Sequence, residues 1–350
     1  MYLSGGFVIM QMYSEERKEV ASFPMDKKTK REILMVSGVL GASTLLFFLL
    51  GKGIGAAFTW ALQNGYLQLT YNVYYVVQML YSVISLIVPF AIGGQIVKKI
   101  QKRKQLFNWE HAEDQTLFYL SIAFGFLALI LANVATSILT GILQEYGVTF
   151  DDPELPMPTK LSEYVFMTLA SVIVPAFTEE FAFRGVILHS FRKYGDLFAV
   201  GMSALLFACM HGNMTQMPFA LILGFVMGLL VICTDSLWTG IAIHLFNNTY
   251  ALVLTLISDN CSQTTAYAAV IMINFIGLSL GLIASVYTSY RYRGARRKVL
   301  YAPPVEADKK IQRKYHAQAW LYSLISLPML ASVVYLIVCL YQSVHTGGAV

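Results

Sequence analysis

The stretch YVFMTLASVIVPAFTEEFAFRGVILHSF, residues 164–191, decides the fold. It is long and apolar enough to cross the ~30 Å hydrocarbon layer as a helix. Yet Glu179, Glu180 and Arg184 sit inside it. An ionisable side chain at mid-membrane costs roughly 2.5–3.5 kcal/mol on insertion scales, so three within six residues demand mutual compensation or a function. Glu180 and Arg184 are one turn apart and can pair on one helix face. Glu179 is turned about 100° from Glu180 and has no partner in its own segment, as expected of a working carboxylate.

Apolar runs of similar length recur on both sides of this stretch. Hydrophobic residues make up 57% of the 350-residue chain and charged ones only 13%, against about a quarter charged in soluble domains. The expected fold is all-α: a polytopic transmembrane helix bundle of about nine spans, eight being possible, with the N-terminus cytoplasmic. The spans fall at 33–50, 73–97, 117–143, 164–191, 197–213, 217–234, 237–257, 266–289 and 319–341. The 50–72 stretch, with its glycines and aromatics, reads as an interfacial or re-entrant piece.

Basic residues test this alternation, because Lys and Arg collect on cytoplasmic loops. Residues 1–32 carry six, the 98–104 loop five, the Arg184–Lys193 stretch three and the 291–314 loop nine, leaving only Lys52 and Lys160 for the other side. The opposite loops hold Asp151, Asp152, Glu154, Glu163 and Asp259, with Pro153, Pro156 and Pro158. The net charge of +5 therefore reads as a topology signal and not as a nucleic-acid surface. Cys209, Cys233, Cys261 and Cys339 show neither C-x-x-C spacing nor a disulfide framework. The chain divides into a cytoplasmic lead-in (1–32), N-terminal spans (33–159), a chemical core (160–258) and C-terminal spans with a basic loop (259–350).

Two further spans carry polar groups at helical period, Phe207-Ala-Cys-Met-His211 and His244-Leu-Phe-Asn-Asn248. His244 and Asn248 share a face, and the Phe207 ring lies one turn below His211. A carboxylate, two imidazoles and an amide in a dry pocket suit addition of water to a carbonyl. Taken out of water, a glutamate holds its proton more tightly and becomes a general base near neutral pH. An amide donor such as Asn248 suits the oxyanion that forms. Singly, each motif has a bland counterpart: a packed histidine, interhelical hydrogen bonding or a structural ion pair. His189 reads as an interfacial histidine, Asn133 and Asn274 as interhelical glue, and Trp60, Trp109, Trp238 and Trp320 as interface anchors.

Depth along the helices gives a crude check. Glu179 and His211 both lie roughly 23–25 Å from the 193–196 turn at 1.5 Å per residue, so they can meet. His244 is only about nine residues from the 234–237 turn. The first hairpin must then protrude, or its helices must tilt or break, for instance at Pro175.

In series, Glu179-Glu180-x-x-x-Arg184, Phe207-x-x-x-His211 and His244-x-x-x-Asn248 resemble the CPBP family (CAAX protease and bacteriocin-processing, also called Abi). The resemblance covers about residues 160–258. It implies an intramembrane endopeptidase in which Glu179 activates water, His211 and His244 position it or the carbonyl, and Asn248 helps to form the oxyanion site. Glu180 and Arg184 then support. It leaves the cofactor as none or zinc; in the second case Glu179, His211 and His244 are the metal set. The implied partners are the bilayer and a peptide, prenylated or membrane-protein substrate, with no nucleic acid, at a plasma membrane of prokaryotic type. The rival readings are a non-enzymatic immunity or scaffold protein that keeps these residues as packing groups, and a transporter, for which no repeat is visible.

Overall fold

The computed structural model describes residues 25–107, 109–146, 148–150, 158–213, 215–291, 300, 309–342 and 344–346. The first part of the lead-in, the acidic and proline-rich 151–157 segment and most of the 291–308 basic loop lie outside the described residues.

The helices run in chain order as α1 (Lys27–Gln63), α2 (Tyr71–Ile100), α3 (Gln115–Glu145), α4 (Leu161–Tyr194), α5 (Asp196–Met210), α6 (Met217–Thr234), α7 (Leu237–Asn260), α8 (Gln263–Arg291), α9 (Lys309–Leu324) and α10 (Leu327–Gln342). Among the described residues seven are long and apolar enough to cross a membrane, or eight with α9 and α10 taken as one broken span. The shorter apolar α5 stands beside them. The chain is an integral, multi-pass membrane protein, and its span count is close to the expected one.

Helix starts follow their capping residues. Asp26 accepts from Thr29 N–H (2.6 Å), Thr70 from Val73 (3.3 Å) and Asp114 from Leu117 (3.0 Å), each satisfying an orphan donor of the first turn. In the middle of the bundle, α4 touches α2, α5, α6 and α7. Helices α1 and α10 pack on one side and α3 with α8 on the other.

Two expectations are corrected here. The 50–72 stretch is not re-entrant, because α1 continues as helix to Gln63 before the turn at Asn64–Gly65. The last span is not 319–341: α9 and α10 meet at a 79° bend. Pro328 begins the new helix without an N–H to bond backwards, as proline does at a first turn. The preceding α9, KKIQRKYHAQAWLYSL, is amphipathic: Tyr315 and Ala319 are buried while Lys309, Lys310, Arg313 and Lys314 are exposed.

The basic loops meet at one end of the bundle. Glu32 accepts from Lys193 Nζ (2.7 Å) and Tyr194 OH (2.8 Å). Gln101 and Arg103 donate to the carbonyls of Ser190 (2.8 Å) and His189 (3.0 Å). Arg192 bonds Asp235 at 2.7 Å, and Trp238 Nε1 donates to Trp109 O at 2.9 Å. At the other end a two-stranded antiparallel pair, β1 (Val148–Phe150) with β2 (Val344–Thr346), joins the loop after α3 to the segment after α10. We call these the basic end and the far end.

Candidate active site

Helix α4 is not a regular α-helix. A π turn covers Leu169–Ile173, just before Pro175, and Val174 N–H reaches back to Leu169 O. Proline cannot donate and its ring crowds the carbonyl one turn earlier; the wider turn relieves that crowding. The same device recurs in α2, where the π turn Val83–Ile87 precedes Pro89. A second π stretch in α4, Phe181–Leu188, directly follows the carboxylate pair. Its loosened carbonyls find side-chain partners: Ser203 Oγ donates to Phe183 O (2.9 Å), and His189 Nδ1 lies 2.6 Å from Arg184 O. That bond gives His189 a structural role, in keeping with its reading as non-catalytic.

This stretch also resolves the depth mismatch. The Arg192–Asp235 bond places the two turns side by side, so the first hairpin does not protrude. Glu180 is then twelve residues from its turn and His244 nine from the other. A π stretch holds more residues per turn than an α-helix, and so takes up part of the surplus.

Glu180 and Arg184 form the expected ion pair, NH1 to Oε1 at 2.7 Å, with both side chains fully buried. His244 Nδ1 lies 2.9 Å from the same Oε1. A carboxylate oxygen only accepts, so Nδ1 carries a proton and the ring turns Nε2 outward. Nε2 stands 3.8 Å from Glu179 Oε2. That separation is too long for a direct hydrogen bond. Glu179 keeps 16% of its side chain exposed where Glu180 keeps none. One histidine thus joins two adjacent carboxylates, one sealed and one open.

Phe207 is the hub beneath them. Its ring takes the Arg184 guanidinium at 4.3 Å, His211 edge-on at 4.9 Å and His244 at 6.0 Å. Stacking on an aromatic face compensates a guanidinium removed from water. His211 caps α5, and its Nδ1 lies 2.9 Å from Phe207 O. A carbonyl cannot donate, so this ring also carries its proton on Nδ1 and, when neutral, leaves Nε2 as an acceptor. Asn248 stands one turn beyond His244, half-buried, with Oδ1 taken by Asn247 Nδ2 at 2.9 Å. Its own NH₂ remains the donor end.

Two glycines of the site escape a reading by polar motif. Gly240 lies one turn before His244, and a Cβ there would collide with Glu180 Oε2. Only a bare backbone lets that carboxylate approach α7. Gly224 of α6 accepts from Arg184 NH2 at 3.3 Å, and a Cβ would meet the Phe207 ring at 3.0 Å. The line Gly240, His244, Asn248 at i, i+4, i+8 was the available signal for the first. Nothing in sequence marked the second.

The conditional zinc set fares differently. Among the described residues no three His, Cys, Asp or Glu side chains are grouped as a metal ion needs. No step proposed for Glu179, His211 and His244 is routed through a metal ion.

The fold and the cluster define a polytopic membrane protein with an acid–base centre inside its bundle. Residues 161–250 match the family "Type II CAAX prenyl endopeptidase Rce1-like". The chain is similar to the Bacillus subtilis (strain 168) protein described as "Putative membrane peptidase YdiL", with 25% identity over 181 residues, covering 51% of this chain and 72% of that one. No solved structure matches it significantly. With the three motifs, these findings support the likeness to CPBP-type intramembrane proteases over residues 161–250.

Proposed function

We propose that this protein is an endopeptidase that cleaves a peptide bond of a membrane-embedded, lipidated or small peptide with water activated by Glu179. The observation that carries the reading is the division between neighbours: Glu180 is locked by Arg184 and His244 at zero exposure, while Glu179 remains open and faces His244 Nε2. A carboxylate already bound to a guanidinium is a poor base, and a free one is a good one.

In this reading Glu179 takes a proton from water as the oxygen adds to the substrate carbonyl. His244, oriented by Glu180, and His211, oriented by the Phe207 carbonyl, present their Nε2 atoms to the water and the leaving amide. The NH₂ of Asn248 donates to the oxyanion, a contact worth about 3–4 kcal/mol where it has been removed from other hydrolases. Glu179 then returns its proton to the departing amine. Arg184, Phe207 and Gly240 hold the geometry.

A comparison of membrane peptides from cells carrying the wild type or Glu179→Gln tests this. The expected outcome is a substrate that persists uncut in the variant, and equally with His211→Ala and His244→Ala, at normal protein abundance. An unchanged peptide set would favour the scaffold reading. Cleavage is expected to survive dialysis against a chelator.

A further inference from the structure

The helices around Glu179 have unequal lengths and unequal packing on its two sides. Toward the basic end, Ala182 to Leu188 of α4 are all buried, and the buried residues of α7 all lie in Leu237–His244. Phe183, Val186, Ile187, Leu188, Phe191, Phe198 and Phe207 join the largest apolar cluster of the molecule, which closes that side. Toward the far end, no residue of α7 from Leu245 to Asn260 is buried.

The α5–α6 hairpin is also short. Its helices have 15 and 18 residues, about 22 and 27 Å, whereas α7 has 24 and α3 has 31, about 36 and 46 Å. The hairpin's first helix ends at the cap His211, and α3 and α7 beside it are the longer helices. Asn247 and Asn248 lie on α7 in the turn beyond His244, half-buried. Lipid is a costly neighbour for such amides, and a watered recess is a cheap one.

We propose that the longer helices beside this short hairpin leave a recess over Glu179, that this recess is the mouth of the site and opens on the extracytoplasmic side, and that the substrate is a peptide segment presented from that side. The side follows from charge. The far-end loops are poor in Lys and Arg, and the basic end collects Lys27, Lys28, Arg31, Lys98, Lys99, Arg103, Arg192 and Lys193, the distribution that places the latter in the cytoplasm. A cytoplasmic C-terminal tail would have to pass the sealed half to reach Glu179. A secreted peptide, a lipidated extracytoplasmic protein or the outer end of a membrane helix would not. The substrate class rests on the protease reading, whereas the mouth and its side do not.

Thiol labelling in the membrane tests the mouth without requiring activity. The four cysteines are replaced by alanine, and Glu179→Cys, Thr215→Cys or a retained Cys233 is then the single target. A membrane-impermeant methanethiosulfonate is applied to intact cells and to inside-out vesicles. The expected result is modification of Glu179→Cys and Thr215→Cys from outside only, and of Cys233 from inside only. Modification of Glu179→Cys from inside only, or from neither side, overturns the proposal. If the cysteine-free chain fails to accumulate, mapped labelling of the wild type gives the orientation: Cys261 reacting from inside, or Cys233 from outside, overturns it as well. The same labelling result with no substrate found would leave the mouth standing and the protease reading fallen.

Discussion

The two halves of α4 and α7 are built differently although they belong to the same helices. On the basic side of the carboxylate pair, Ala182 to Leu188 are all buried, and bonds such as Arg192–Asp235 and Lys193–Glu32 bind the turns together. On the far side, α7 contributes no buried residue beyond His244. The difference teaches where each requirement of an intramembrane hydrolase is met. Catalytic groups need a rigid, preorganised floor, and a substrate needs a region whose local opening costs little.

The largest effect that tests this contrast is expected at Arg184. Arg184→Met leaves Glu180 buried with His244 as its remaining partner, and removing one partner of a buried pair costs about 3–5 kcal/mol. Thermal unfolding in detergent is expected to show a large drop in Tm. A variant as stable as the wild type would mean that the pair does not hold the floor. Next comes Gly240→Ala, which pushes a methyl against Glu180 and is expected to cost about 1–3 kcal/mol, as overpacking of a dense interior does. The smallest effect belongs to the far half. Thr255→Val on exposed α7 surface is expected to stay within about 0.5 kcal/mol of the wild type. If Thr255→Val destabilised the protein as much as Gly240→Ala, the two halves would not differ as described.

Much of this architecture was legible in the residues. Hydropathy marks the spans because the bilayer leaves helices few alternatives, and the i, i+4 spacing of Glu180 with Arg184 and of His244 with Asn248 marks shared faces. The errors have physical origins. A hydropathy window merges the apolar end of α9 with α10, and the glycines at 51, 53 and 55 suggested a break where α1 continues. The π turns escaped notice because one added residue per turn leaves no compositional trace beyond a following proline, present for two of three. The packing of Gly240 against Glu180 joins residues sixty apart, and the only local trace of it is the face that Gly240 shares with His244 and Asn248. Nor did spacing reveal that His244 would touch both carboxylates.

The division of labour between the two glutamates is the centre of the account, and paired measurements on Glu179→Gln and Glu180→Gln address it most directly. Each variant is purified for its Tm and assayed for cleavage of a substrate trapped in cells. Glu179→Gln is expected to keep the wild-type Tm and lose cleavage by about 10²–10⁴-fold, the usual share of a general base. Glu180→Gln is expected to lower the Tm clearly. A Glu179→Gln protein that still cleaves, beside a stable Glu180→Gln protein that does not, would contradict the assignment.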